Sequence, residues 1–142
     1  MTRKKFITGN WKMNGTEQAA TVLVQALLNS DAGGKVVDVA FCPPFTALRT
    51  VADLLRESPI SLGAQDVSMQ RPGAFTGDIA AELLVALGCR YCIVGHSERR
   101  QYHHEHYFIV NPKLQLLLEV GIQPILCVGE TAEERAAGKA EE

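Results

Sequence analysis

Long apolar runs are absent from this 142-residue chain, and none approaches the ~20 residues that a membrane-spanning helix needs. The start, Met1-Thr2-Arg3-Lys4-Lys5, is basic, but only Phe6-Ile7 follow before Thr8 and Gly9. That is too short for the apolar region of a secretory signal, so a cytoplasmic protein is the expectation. A strong excess of charge of one sign is missing as well. Fourteen Lys and Arg against 16 Asp and Glu give a net charge of -2, with no basic footprint for nucleic acid and no polybasic patch for a membrane. The four cysteines (Cys42, Cys89, Cys92, Cys127) are too few and too dispersed for a disulfide scaffold. Cys89-Arg90-Tyr91-Cys92 has CxxC spacing, but residues three apart in a strand face opposite sides and no second CxxC completes a zinc set. No metal is expected. Neither the GxGxxG turn of a dinucleotide fold nor a Walker loop is present, and no repeat or low-complexity segment occurs.

What remains is an ordinary soluble composition, 46% apolar and 21% charged, in one domain's worth of chain, residues 1–142. Phe6-Ile7-Thr8 reads as a short strand. Thr16 is placed to cap a helix with Ala19, Val22, Leu23 and Ala26 on one face, stopped by Gly33-Gly34. Val36 to Cys42 is a second strand, ended by Pro43-Pro44. Thr46 opens a helix with Leu48, Val51, Ala52 and Leu55 together. Ile60 to Ala64 is a third strand, followed by a long polar loop from Gln65 to Asp78. A third helix groups Ala80, Leu83, Leu84 and Leu87 before Gly88, and Tyr91-Cys92-Ile93-Val94 is a fourth strand. A further helix shows Val110, Leu114, Leu117 and Leu118 before Gly121. Pro124 to Val128 is a fifth strand, and Thr131-Ala132-Glu133-Glu134 has capping-box spacing. Regular βα alternation implies a parallel α/β sheet with right-handed crossovers, either an open doubly wound sheet or part of an eight-stranded barrel.

The run Gly95-His96-Ser97-Glu98-Arg99-Arg100 gathers an imidazole, a hydroxyl, a carboxylate and two guanidiniums just past the fourth strand. Ligands of α/β folds bind at the carboxyl ends of parallel strands, which makes this run a candidate site. A solvated polar loop is the competing reading. His103-His104-Glu105-His106 also suggests a metal, but HExxH is absent and the ligand spacing is wrong.

Asn10-Trp11-Lys12, Ala64-Gln65, Gly73-Ala74-Phe75-Thr76-Gly77, Gly95-His96-Ser97-Glu98-Arg99-Arg100 and Leu126-Cys127-Val128-Gly129-Glu130 together resemble the triosephosphate isomerase family, in order and spacing. The resemblance runs over essentially the whole chain. It implies a TIM (β/α)8 barrel, of which this chain supplies about β1 to β5 with four helices. It also implies interconversion of dihydroxyacetone phosphate and D-glyceraldehyde 3-phosphate through an enediol(ate), with no cofactor. On this basis Lys12 is the cation that holds the substrate, Asn10 donates a hydrogen bond to it, His96 polarises the carbonyl, and Glu98 lies beside the lysine. If His96 stands at the amino end of a short helix begun by Ser97-Glu98, the helix dipole favours a neutral imidazole, an effect for which this family is itself the standard instance. The resemblance further implies a homodimer through the loop from Gln65 to Asp78, with Met13, Gln65, Phe75, Thr76 and Gly77 at the interface.

Two departures stand out. The family chain has eight βα units over about 250 residues, and the later part carries the glutamate base, the lid and the phosphate loops. This chain is therefore expected to be part of a longer barrel or to need partner chains. A catalytically inactive half-barrel assembly module is the alternative. Secondly, His106 and Tyr107 remove the usual capping side chain, and Pro112 falls a turn and a half into the next helix. A late helix start, a kink or disorder is expected around residues 106 to 112.

Overall fold

The computed structural model describes residues 4–30, 37–130 and 132–138. In chain order it contains β1 (Lys5–Asn10), α1 (Glu17–Asn29), β2 (Val37–Cys42), a 3-10 turn (Phe45–Ala47) running into α2 (Leu48–Leu55), β3 (Ser61–Ala64), α3 (Ala81–Ala86), β4 (Tyr91–Val94), α4 (Ser97–Tyr102), α5 (Tyr107–Glu119), β5 (Gln123–Leu126) and α6 (Ala132–Ala136). All pairings are parallel and the sheet order is β1-β2-β3-β4-β5. Neighbouring strands lie about 4.8 Å apart, so β1 and β4 in a flat sheet are separated by about 14 Å. Yet the rings of Phe6 on β1 and Tyr91 on β4 approach to 4.6 Å. The sheet is therefore curled, and the architecture is a partial (β/α)8 barrel.

One core lies between the sheet and its helices, where Leu48, Val51, Leu62, Leu84, Val94, Leu117 and Ile122 are buried. Burying each such side chain stabilises the fold by about 1.5–3 kcal/mol. On the concave side Ala40, Cys42 and Ile93 are buried, and Thr8 Oγ1 lies 3.5 Å from Cys42 Sγ. At the two ends of the sheet Ile7 and Leu126 remain exposed, because no further strand or helix covers them among the described residues.

The helix stops at Gly88 and Gly121 share one device. Gly88 (φ 80°) donates its N–H to the Val85 carbonyl and Cys89 donates to Leu84; Gly121 (φ 81°) donates to Leu118 and Ile122 to Leu117. This paired closure needs a left-handed glycine, and it buries the apolar residue that follows, Cys89 or Ile122, against the helix it has just ended. The next strand then starts in a defined place. At the other end of α1, Thr16 Oγ1 accepts the Ala19 N–H at 3.3 Å, as expected of a cap.

Several expectations are corrected. In α1 the buried residues are Ala20 and Val24, whereas Val22 and Leu23 are exposed. This helix packs against α2 and the 3-10 turn, and among the described residues nothing covers Val22 and Leu23 on its other face. Leu83 and Leu118 are likewise more than half exposed. Thr46 does not open α2: it lies inside the 3-10 turn, and Ala47 precedes the helix without a side-chain cap. Strand β1 is longer than expected and β5 begins at Gln123. Cys89 precedes β4, so strand alternation does not apply to it, and it shares the core cluster with Cys92. Helix α5 starts at Tyr107 and continues through Pro112. His106 gives no side-chain cap, as anticipated, but its carbonyl accepts both Ile109 and Val110 N–H groups and closes the first turn. The carbonyl that Pro112 leaves without a donor belongs to Phe108, an exposed residue, where water can replace the bond. The expected stop at Gly33-Gly34 and cap at Thr131 lie outside the described residues, as does Val36.

Candidate active site

Three strand ends build the site. Past β1, Lys12 has φ 54°, a left-handed conformation that costs a non-glycine residue about 1–2 kcal/mol. Side chains hold it there from both sides. Asn10 Oδ1 accepts the Lys12 N–H at 2.9 Å, and Gln65 Nε2, just past β3, donates to the Lys12 carbonyl at 2.9 Å and to the Cys42 carbonyl at 2.8 Å. Strained backbone that the surroundings hold in place is typical of functional positions.

Past β4, Gly95 has φ 66°, and a Cβ there would lie 2.7 Å from Arg100 Nη2. Arg100 fills that space, donating from Nε to the Gly95 carbonyl at 2.7 Å and from Nη2 to the Cys127 carbonyl at 3.2 Å. The turn hands the chain to His96, the N-cap of α4, whose Nδ1 accepts the Glu98 N–H at 3.3 Å. With Nδ1 as acceptor, the proton of the neutral ring sits on Nε2. Lys12 Nζ donates to Glu98 Oε1 at 2.6 Å across 86 residues of sequence. That contact holds the Glu98 carboxyl below the ordinary carboxylate range; the Lys12 hydrogen bond is the main cause. Asn10, Lys12, Gln65, His96 and Glu98 thus line one cleft of about 720 Å3, which His103 also borders.

Of the residues expected at an interface, Met13 is almost fully exposed, and Phe75, Thr76 and Gly77 are exposed on the loop. Gln65 instead turns inward onto the strand ends. The loop is anchored at its base, where Ser68 Oγ donates to Asp78 Oδ2 at 2.6 Å and the Ser68 N–H to the Ile79 carbonyl at 2.8 Å. Arg71 pairs with Glu119 of α5 and lies 3.7 Å from Glu82 of α3.

Behind the cleft lies a charged cluster that sequence reasoning missed. Lys113 Nζ, buried, contacts Asp66 Oδ1 at 2.7 Å and Glu105 Oε1 at 2.7 Å, and Arg99 reaches Asp66 Oδ2 at 2.9 Å and Glu105 Oε1 at 2.6 Å. A signal existed: Lys113 sits on the apolar stripe between Val110 and Leu117, where a solvated lysine has no place. Burial raises Asp66 above its ordinary value, outweighing Lys113. For Glu105 burial acts the same way, but Lys113 and Arg99 together hold it below the ordinary range. Burial also pushes the Cys89 thiol up to about 12 and raises Cys92 well above the usual thiol range, so neither offers a ready thiolate. His103, His104 and His106 are exposed, and no group of three or more metal-ligating side chains occurs among the described residues.

The triosephosphate isomerase family model matches residues 5–142. Triosephosphate isomerase of Albidiferax ferrireducens is 52% identical over 140 residues, covering 99% of this chain and 56% of the relative. That of Chloroflexus aurantiacus is 49% identical, covering 98% and 56%. The crystal structure of triosephosphate isomerase from Bartonella henselae superposes with a TM-score of 0.90 at 37% identity, covering 97% of this chain and 57% of that one. The chain thus spans about half the length of the curated relatives it matches, and it belongs to the triosephosphate isomerase family.

Proposed function

We propose that this chain supplies the charge-stabilising half of a triose-phosphate isomerase site, for interconversion of dihydroxyacetone phosphate and D-glyceraldehyde 3-phosphate. The observation that carries this reading is the convergence of Lys12, Asn10 and His96 on one cleft, with Glu98 against the lysine. Proton abstraction beside a carbonyl leaves negative charge on oxygen, and preorganised donors aimed at that charge lower the barrier. Asn10 uses its Oδ1 on the Lys12 amide, so its Nδ2 is the end that serves a substrate oxygen. His96 donates from Nε2 and returns the proton between the two oxygens. Lys12 offsets the negative charge of substrate and intermediate, while Glu98 fixes its position.

The base is a different matter. Among the described residues two carboxylates line the cleft, and both are engaged: Glu98 by Lys12, Asp66 by Lys113 and Arg99. This favours a chain that works only with the remaining barrel, and it is also the observation behind a second reading, a non-catalytic assembly module. The exposed loop around Phe75 and Thr76 supports homodimer formation in either case.

A chimera joining residues 1–142 to the carboxyl-terminal half of the Albidiferax relative separates the two readings in a coupled isomerase assay. The expected result is an active chimera, with Lys12→Ala lowering kcat/KM by about 10²-fold or more, and no activity from residues 1–142 alone. A folded but inactive chimera supports the assembly module and overturns the enzyme reading.

A further inference from the structure

We propose that a groove at the opposite end of the sheet, where β3 and β4 begin, binds a small organic anion with an apolar body. The groove measures about 560 Å3 and runs between α2, the amino ends of β3 and β4, and the end of α3. That volume suits a small-molecule ligand. Its apolar lining includes the exposed Val85 and Ala86 and the half-buried Leu87, together with the buried side chains Leu55, Ile60 and Leu62. Arg49, Arg56 and Arg90 also line it, against a single carboxylate among the described residues, Asp53.

Charge decides the occupant. The chain as a whole is net negative, so three arginines around one groove are a local inversion. Asp53 is taken by Arg56 Nη2 at 2.6 Å. Arg49 and Arg90 have no side-chain hydrogen bond or ion pair among the described residues. Arg49 and Arg56 are seven residues apart on or next to α2, which puts them on one face about 10 Å apart along the axis. A guanidinium binds carboxylate or phosphate through a two-pronged contact. Inorganic phosphate alone leaves the apolar lining unused, and a neutral hydrocarbon leaves the arginines unused. A ligand that uses both carries a carboxylate or phosphate head on an apolar stem.

Octanoate titrated into the protein and followed by residue-resolved amide NMR provides the test. Saturating shifts are expected at Leu87, Gly88 and Arg90. Affinity should fall at least tenfold in the Arg49→Gln, Arg90→Gln double variant, and neutral 1-octanol should bind at least tenfold more weakly. Both arginines are exposed, and if the double variant misfolds, Arg90→Gln alone supports the same comparison. The proposal is overturned if octanol binds as well as octanoate, if inorganic phosphate saturates the same amides equally, if the variants bind like wild type, or if the shifts map to the concave face of the sheet.

Discussion

Replacing Lys113 with methionine should destabilise the protein by about 3 kcal/mol at pH 7. Methionine conserves most of the volume, so the change removes a charge rather than opening a cavity. The ammonium it deletes contacts both Asp66 oxygens, at 2.7 and 2.9 Å, and Glu105 Oε1 at 2.7 Å. Removing one partner from a buried ion pair costs about 3–5 kcal/mol, and the lower end applies because Arg99 still reaches both carboxylates. With an unfolding entropy of about 0.3 kcal/mol/K for a chain of this length, the melting temperature falls by about 10 °C. The pH dependence is the sharper test. Glu105 is held low, so the folded state binds fewer protons and its contribution is present above the ordinary carboxylate range and lost as pH falls through its folded value. Asp66 is raised by burial, so its contribution is present at low pH and lost as pH rises through the window between its ordinary and raised values. Without the ammonium both carboxylates move upward. Protonation then relieves the variant more than wild type, and the stability gap should shrink between pH 7 and about pH 4. Urea melts of both proteins at the two pH values measure this. A gap under 1 kcal/mol at pH 7, or one unchanged at pH 4, refutes the reasoning.

Three further outcomes are expected. Gly95→Ala should cost about 2–3 kcal/mol, from the left-handed backbone and from the displaced Arg100 bonds, as read in urea melts; a loss under 0.5 kcal/mol contradicts the packing described. Pro112→Ala should stabilise by about 1–2 kcal/mol, because it restores a donor to the Phe108 carbonyl at the price of a looser unfolded chain. A destabilised Pro112→Ala variant contradicts this account of the helix. In Lys12→Met the Glu98 carboxyl carbon, followed by NMR, should titrate at higher pH than in wild type. Its folded value is lowered chiefly by the Lys12 bond, so that contact operates above the ordinary carboxylate range and fades as pH falls through the folded value. An unchanged titration means that Lys12 is not what holds Glu98 low.

The alternation of strands and helices, and the placing of His96 just past a strand, were legible because they rest on local rules: periodicity, glycine stops and chain order. The helix ends at Gly88 and Gly121 fall where the sequence puts them, since the closure there is made within each helix's own last turn. What escaped depends on neighbours. The inward face of α1 is set by its packing on α2, so Ala20 and Val24 are buried rather than the stripe of Val22 and Leu23, which residue spacing alone does not reveal. Pro112 is tolerated because the carbonyl it orphans belongs to an exposed residue, Phe108, which spacing does not reveal. The Lys113 cluster joins Asp66 and Arg99, segments 47 and 14 residues away, and only the folded chain brings them together.

The strictly sequential strand order carries a consequence for how the site comes into being. A sheet in which every strand pairs with its predecessor in the chain can be laid down in the order of synthesis, each βα unit docking on the one before. The Lys12 to Glu98 contact cannot form that way, since its partners sit at the first and fourth strands. It closes only when the growing sheet has curled far enough to bring those ends together. The pairing of Lys12 with Glu98 therefore depends on the two strands between them, β2 and β3, and the Arg100 bond to the Cys127 carbonyl depends in turn on β5.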